Sequence, residues 1–233
     1  MASAATTART INQRGTSGTS GGGGFGERTC LGRSGFDRNP DRIMDNNRPK
    51  ITVFCGSSHG SDAAYARDAR RFGALIAERG YDMVFGGGNI GLMGEVAHAA
   101  REGGARVIGV LPNFLHKTVP VFSDAAEIVV TDSMHERKAA MYALAQAFVA
   151  LPGGIGTLEE TVEVLTWAQL ELHAKPIVIV NTGGCWSALI EALKTMIHNG
   201  FAHPSLLRMV TVVDDPDAAI RVLDDSLSKS ILG

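Results

Sequence analysis

Short apolar runs alternate with longer amphipathic segments from about residue 50 to the end of the chain. The runs are rich in Val, Ile and Phe and predict strands, whereas the segments between them repeat apolar residues at helical spacing. Continuous apolar strands separated by helices are typical of a parallel sheet buried on both faces. The pattern therefore predicts a single α/β domain over residues 50–233, Rossmann-like and three-layered, with ligands at the carboxyl ends of its strands.

The predicted strands are 51–55, 82–85, 106–111, 127–130, 147–151, 176–180 and 210–213. The predicted helices are 63–79, 92–102, 134–146, a helix after Thr157, 186–198 and 216–227. The helix after Thr157 has one apolar stripe at Val162, Leu165, Gln169 and Leu172, which we expect to face the core.

Residues 1–49 lack this pattern. They are rich in Gly, Ser, Thr and Arg, with few apolar side chains and four consecutive glycines at 21–24. Such a segment buries too little apolar surface to offset its ordering entropy, so we expect a disordered, low-complexity tail. Two other interpretations stay open: a protein start at Met44, and an organelle transit peptide, because no acidic residue precedes Glu27.

The net charge, the cysteines and the histidines limit which partners, location and metals are expected. The formal net charge of -2 gives no field that would attract nucleic acid or an anionic membrane, so we expect neither as a partner. Cys30, Cys55 and Cys185 show no CxxC spacing, which favours reduced thiols and a cytoplasmic location. None of the seven histidines has metal-ligand spacing, so we expect no metal.

The segment from Pro152 to Glu160, PGGIGTLEE, joins a predicted strand to a predicted helix. Glycines let the main chain approach a ligand closely, and the first N–H groups of a helix point towards a bound anion. The combination predicts a phosphate-sized anion site built from backbone. Thr157 and Glu160 also have the spacing of a capping box, so a capping role and a functional role for Glu160 are both open on spacing alone.

Two further glycine motifs follow predicted strands. The run from Gly86 to Gly91 matches the dinucleotide pattern GxGxxG, but the next strand ends without the acid that would hold the ribose of NAD. We expect it to contact a nucleotide phosphate or base, or to serve only as a tight turn. The run from Gly56 to Gly60 matches the nucleophile elbow GxSxG. An esterase needs an earlier strand and loop for its oxyanion hole, so we expect Ser57 to contact a nucleotide instead.

Four motifs together resemble those of the LOG family, the cytokinin riboside 5′-monophosphate phosphoribohydrolases. They are PGGIGTLEE at 152–160, SMHERK at 133–138, GGGNIGLMG at 86–94 and TWAQL at 166–170. The resemblance extends from about Lys50 to the last turns of the chain. It implies a homodimer that hydrolyses the N-glycosidic bond of an N6-substituted adenosine 5′-monophosphate without a cofactor.

The resemblance also implies the residues of the site. Arg137 and Glu160 match the catalytic arginine and glutamate of the family. The implied substrate-binding residues are Ser57, Gly87, Gly88, Gly91, Met93, Lys138, Gly154, Ile155, Gly156, Thr157, Leu158, Glu159 and Thr166. Without the resemblance, Arg137 and Lys138 would be interpreted as a solvated helix face, because cations in a first turn gain nothing from the helix dipole.

One segment departs from the family pattern. Family members carry a glutamate in the loop after the third strand, whereas residues 112–120, PNFLHKTVP, contain no acid. Recognition of the base or ribose is therefore expected to differ, which opens plain AMP or another nucleoside monophosphate as the better substrate. The alternative from another functional class is a nucleotide-binding or cofactor-carrier protein of the same fold, without turnover.

Overall fold

The computed structural model describes residues 47–116 and 118–231, without the side chains of 229–231. The predicted tail up to residue 46 and the alternative start at Met44 lie outside the described residues. The strands are β1 (Lys50–Phe54), β2 (Asp82–Phe85), β3 (Val107–Pro112), β4 (Glu127–Thr131), β5 (Ala147–Ala150), β6 (Ile177–Val180) and β7 (Thr211–Val213). The helices are α1 (Ala63–Glu78), α2 (Gly91–Glu102), α3 (Asn113–His116), α4 (Met134–Leu144), α5 (Ile155–Gln169), α6 (Ser187–His198) and α7 (Pro216–Ile231). Short 3-10 helices span Thr182–Gly184 and Pro204–Arg208.

The strands form one parallel sheet in the order β4-β3-β2-β1-β5-β6-β7. The chain builds outward from β1 to β4 and then returns to the other side of β1 with β5. In this central pair, Val53 lies beside Val149 and Phe54 beside Ala150. Loops that leave the two strands of such a reversal diverge, and they open a crevice at the carboxyl ends of the strands.

Helices cover both faces of the sheet. On one face α1, α2 and α7 pack over strand residues such as Ile51 and Met83. On the other face α4, α5 and α6 pack over Phe54 and Phe148. Successive side chains of a strand point to opposite faces, so one strand supplies both layers with apolar surface. The predicted Rossmann-like, three-layer α/β fold with a parallel sheet is confirmed.

The buried face of α5 differs from the prediction. The predicted stripe is right for Leu165, which is buried, but wrong for Val162 and Leu172, which are exposed, and the helix ends before Leu172. Besides Leu165, the helix buries Thr157, Thr161 and Val164. Thr161 Oγ1 donates to the Thr157 carbonyl oxygen at 2.6 Å, so this threonine hydroxyl enters the core with its hydrogen bond made inside the helix.

The shortest helices were not predicted. Helix α3 and the two 3-10 helices span only three to five residues each, which is too short to show a hydrophobic period. Among the described residues, no helix has both the length and the apolar character that crossing a membrane requires.

Candidate active site at the carboxyl ends of the strands

Helix α5 begins three residues earlier than its sequence pattern predicts. Gly154 is the N-cap, without a side-chain cap, and Ile155 is the first helical residue. Thr157 therefore lies inside the first turn, where it is buried, and the predicted capping box of Thr157 and Glu160 is wrong. A Cβ atom at Gly153 would lie 2.2 Å from Thr157 Oγ1, so this close start of the helix depends on a glycine.

The N-terminus of α5 is open. Gly154, Ile155 and Gly156 are exposed, and Ile155 keeps 82% of its surface accessible. Leu158 N donates to the Gly154 carbonyl oxygen and closes the first turn, so the N–H groups before it lack an acceptor within the helix. These groups and the positive end of the helix dipole together favour a bound anion of phosphate size.

The loops after β1, β2 and β5 pack against one another beside this helix end. Gly56 N donates to the Pro152 carbonyl oxygen (3.0 Å), and Met93 N donates to the Gly56 carbonyl oxygen (3.2 Å). A Cβ atom at Gly91 would lie 2.3 Å from the carbonyl carbon of Ser57, and its φ of +56° also favours glycine. The exposed Ser57 is thereby held against Gly91 at the start of α2, and the preceding Gly56 contacts the glycine loop before α5.

The acid-free loop after β3 is tied to the second glycine loop. Phe122 N donates to the Gly87 carbonyl oxygen (3.0 Å), and Asn89 N donates to the Pro120 carbonyl oxygen (2.8 Å). Gly88 and Val121 form an isolated antiparallel bridge between the same segments. The segment that departs from the family pattern therefore lies at the border of the site, where it can affect recognition of a ligand.

A capping box does exist, but one helix earlier. Ser133 is the N-cap of α4, and its Oγ accepts from Glu136 N (3.1 Å). Glu136 Oε2 accepts in return from the main chain of Asp132 (2.9 Å). The S-x-x-E spacing at Ser133 was present in the sequence and could have been recognised. It fixes the first turn of α4, from which Arg137 projects.

Arg137 is buried, with 8% of its surface exposed, so the solvated-face interpretation is wrong for this residue. Its Nε donates to the Val110 carbonyl oxygen (3.2 Å) at the end of β3. Its Nη1 donates to Glu160 Oε1 (2.6 Å) on α5. The structure therefore brings the two predicted catalytic residues, from helices on the same face of the sheet, into one ion pair.

Burial and pairing act in opposite directions on Glu160. Burial raises the pKa of its carboxyl above the ordinary value of 4.5, and Arg137 lowers it again in part. The pKa of the neighbouring Cys55 thiol is raised, first by burial and then by the negative charge of Glu160. Arg137 thus favours the ionised form of Glu160 in a place where water solvates it poorly.

Lys138 makes a second bridge between α4 and α5. Its Nζ donates to Glu159 Oε1 (2.5 Å) and to Glu163 Oε1 (2.9 Å). The hydrogen bond to Glu159 is the main cause that raises the pKa of Lys138. Lys138 is partly buried, so it too is more than a solvated surface cation.

Of the other predicted substrate-binding residues, Met93 and Leu158 lie beside the glycine loops, whereas Thr166 does not. Met93 reaches Gly88, because a Cβ atom there would lie 2.9 Å from Met93 Cε, and Leu158 is partly buried in the first turn of α5. Thr166 lies apart, six residues or about 9 Å along α5 from Glu160. Its exposed hydroxyl donates to the Val162 carbonyl oxygen (2.7 Å).

A pocket that sequence reasoning did not identify adjoins Glu160 between α4 and α5. Phe54, Phe148 and Trp167 supply aromatic surface to it, and Lys138 borders it. In the part of the chain that the structure describes, no three His, Cys, Asp or Glu side chains are grouped as a metal site requires. The site is therefore one of backbone donors, two paired charges and aromatic surface.

The sheet and its loops define a Rossmann-like α/β protein, with the open N-terminus of α5 at its switch point. A family model described as "Possible lysine decarboxylase" matches residues 93–223. A probable cytokinin riboside 5′-monophosphate phosphoribohydrolase of Oryza sativa subsp. japonica is 43% identical over 176 residues, which cover 76% of this chain and 78% of that protein. A second such rice protein is 44% identical over 161 residues, 69% of this chain and 65% of its own length. The chain belongs to this family, the LOG family.

The fold also matches solved structures. The Moco carrier protein from Chlamydomonas reinhardtii is 26% identical, with a TM-score of 0.59, and the match covers 78% of this chain and 99% of that chain. A molybdenum cofactor binding protein from Rippkaea orientalis is 22% identical with a TM-score of 0.58, and that match shows the fold alone.

Proposed function

We propose that the protein hydrolyses the N-glycosidic bond of an adenosine 5′-monophosphate that bears an N6 substituent, and releases the free base and ribose 5-phosphate. The observation that carries the proposal is the buried pair of Arg137 and Glu160 beside the open N-terminus of α5. The relatives that share 43% and 44% identity with the chain bear the name of this activity, which supports it further.

The geometry suits a nucleotide that is anchored by its phosphate. The phosphate would lie at Ile155, and Glu160 follows five residues later, about 7.5 Å along the same helix. Ribose would then extend from the anion site towards the carboxylate. Binding energy from the phosphate can in this way be used to hold the anomeric carbon against Glu160.

The reaction breaks the C1′–N9 bond, and a water oxygen forms the new bond to C1′. Positive charge develops on the sugar as the bond weakens, and an ionised Glu160 stabilises it or takes the proton of the attacking water. A proton must reach the leaving base. Arg137 keeps Glu160 ionised, and it also positions the substrate or assists departure of the base.

The base would lie beside Glu160. Phe54, Phe148 and Trp167 line a cavity of about 10 Å³ there, which holds at most one water molecule, so an N6 substituent would enter it only if these side chains moved apart. The acid-free loop at 112–120 favours a recognition of base or ribose that differs from the family, so AMP itself belongs in every substrate panel.

A homodimer is part of the proposal. Ile155 and Val162 on α5 and its C-cap Leu170 are exposed by 82%, 40% and 63%, and their spacing puts them on one side of the helix. Thr166 lies on the same face, so a second copy that covers it would also contact this predicted binding residue. Sedimentation at micromolar concentration should show a dimer, and Val162→Glu should shift it towards monomer. The free thiols of Cys55 and Cys185 support a reducing, cytoplasmic location.

The decisive experiment compares nucleotides with their nucleosides. Purified protein is incubated with N6-isopentenyl-AMP, AMP and the two corresponding nucleosides, and the free base is measured by chromatography. We expect release from a monophosphate and little from either nucleoside, because the α5 N-terminus anchors the phosphate. Equal rates on nucleoside and monophosphate would contradict the proposed anchoring.

A second candidate is a carrier without turnover, which the match to the Moco carrier protein favours. A carrier of this kind would bind a phosphorylated ligand at the same edge and return it unchanged. The buried carboxylate argues against it, since a binding protein gains nothing from a raised glutamate pKa beside an anion site. Tight binding of every nucleotide in the panel, without any release of base, would put the carrier ahead.

A further inference from the structure

The loop after β2 begins with three glycines that have different neighbours. Gly87 has a φ of +78°, which favours glycine whatever surrounds it. Gly88 faces the mobile end of Met93, at 2.9 Å from a Cβ atom. Gly86 differs from both: its φ lies outside the left-handed region, and a Cβ atom would lie 2.6 Å from Arg137 Nη2.

Two of the three guanidinium nitrogens of Arg137 donate hydrogen bonds. Nε donates to the Val110 carbonyl oxygen, and Nη1 donates to Glu160. Nη2 lies over the Cα atom of Gly86, in the place that a side chain would occupy. A guanidinium is planar and rigid, so displacing Nη2 turns the whole group and moves Nη1 away from Glu160.

We propose that Gly86 is a positioning residue for the reaction, because only the absence of a side chain there lets Arg137 lie flat and pair with Glu160. The proposal rests on the proposed function for what the pair does, but the contact itself does not depend on it. The three atoms nearest to a Cβ at Gly86 are Nη2 and Cζ of Arg137 and Sδ of Met93 at 3.4 Å. All belong to flexible side chains, so Gly86→Ala should fold with Arg137 displaced.

A different reason for a glycine at this position would be close approach of the main chain to the ligand. A double-mutant cycle distinguishes these two explanations for Gly86. If Gly86→Ala acts by displacing Arg137, its effect and that of an Arg137 substitution are not additive. The partner variant is Arg137→Lys, which keeps the positive charge but has no atom in the place of Nη2. Gly88→Ala is the matched control, since its new methyl group meets Met93 and leaves Arg137 untouched.

Two measurements are made on each variant of the full chain. One is kcat/KM for release of base from AMP or N6-isopentenyl-AMP. The other is the pKa of Glu160, followed by carbon NMR of its labelled carboxyl group in the absence of nucleotide. The NMR titration decides the role of Gly86 even if the wild-type protein proves not to hydrolyse nucleotides, so failure of the proposed function is distinguishable from failure of this inference.

Gly86→Ala should lower kcat/KM by roughly tenfold or more and raise the Glu160 pKa, and it should lower Tm by less than Arg137→Ala does, because the displaced guanidinium stays near Glu160. In the Arg137→Lys background the same substitution should change neither quantity, whereas Gly88→Ala should have the same effect in both backgrounds. Equal losses from Gly86→Ala in both backgrounds, or an unchanged Glu160 pKa, would overturn the inference. A Gly86→Ala protein that does not fold would overturn it too, because the methyl group would then meet backbone.

Discussion

Replacing Arg137 by alanine is expected to destabilise the fold, because it leaves the buried carboxylate of Glu160 without its counter-charge. The two side chains are 10% and 12% exposed, and their charged atoms are 2.6 Å apart. Removing one partner of a buried ion pair costs about 3–5 kcal/mol. The space left by arginine admits water to Glu160, so we expect the lower end, about 3 kcal/mol. For a domain of this size that corresponds to a fall in Tm of about 6–12 °C.

The loss of stability should depend on pH, and its sign follows from the pKa of Glu160. Burial already raises this pKa above 4.5 with Arg137 present, and Arg137 opposes the rise, so the variant should have a higher pKa still. A carboxyl whose pKa is raised by folding favours the folded state while it is protonated. Its contribution is fully present below about pH 4.5 and is lost as the pH rises through the raised value. Arg137→Ala should therefore lose more stability at pH 8 than at pH 5.

Urea unfolding at pH 5 and pH 8, followed by circular dichroism, measures the loss of stability in Arg137→Ala and its dependence on pH. The matched control is the double variant Arg137→Ala with Glu160→Gln, which removes the unpaired charge and should recover part of the stability at pH 8. Losses of equal size at the two pH values would refute the reasoning. So would a double variant whose loss is the sum of the two single losses.

Four further predictions follow from the same contacts. Glu160→Gln should lower kcat by roughly a hundredfold in a folded protein, and an unchanged rate would exclude the mechanism. In a plot of kcat/KM against pH, activity should fall on the acid side at a pH above 4.5, because burial raises the Glu160 pKa and the reaction requires ionised Glu160. A fall at lower pH would show that Glu160 is not the titrating group. Ser133→Ala should cost about 1 kcal/mol in urea unfolding, since Glu136 N loses its acceptor, whereas Ser133→Thr should keep it. Glu171→Gly should raise the free energy of unfolding by about 0.5 kcal/mol, because Glu171 has a φ of 59°, which favours glycine. An unchanged free energy of unfolding would mean that the backbone at Glu171 is not strained.

The fold was predictable because its information is local. Each strand is a continuous apolar run and each long helix has its own period, so the order of elements can be read without tertiary contacts. The arrangement from which an anion site is expected was predictable for the same reason, since a strand, a glycine loop and a helix start follow one another in sequence from 147 to 160, and the structure has this order. The face that α5 buries was not predictable, because Thr157 and Thr161 are polar by type, and the Thr161 hydroxyl enters the core with its hydrogen bond made inside the helix.

The capping boxes show where local patterns stop being informative. Ser133 with Glu136 and Thr157 with Glu160 have the same spacing, yet only the first forms a cap. At the second, Gly154 starts the helix earlier, and Glu160 turns to a partner 23 residues away. That partner is buried only because β3 and α5 close around it, and this depends on the strand order. Sequence spacing contains no information about such an enclosure.

Carboxylates of α5 explain why two cations lie at the start of α4. Arg137 and Lys138 lie in a first turn, where the dipole of their own helix disfavours positive charge. They are held there by Glu160 in one case and by Glu159 and Glu163 in the other. In return they offset most of the negative charge that α5 carries close to its own N-terminus. A phosphate that approached that N-terminus would therefore meet backbone N–H groups and paired carboxylates, so the same helix is suited to hold an anion at one end and the proposed catalytic glutamate one turn further on without strong repulsion between them.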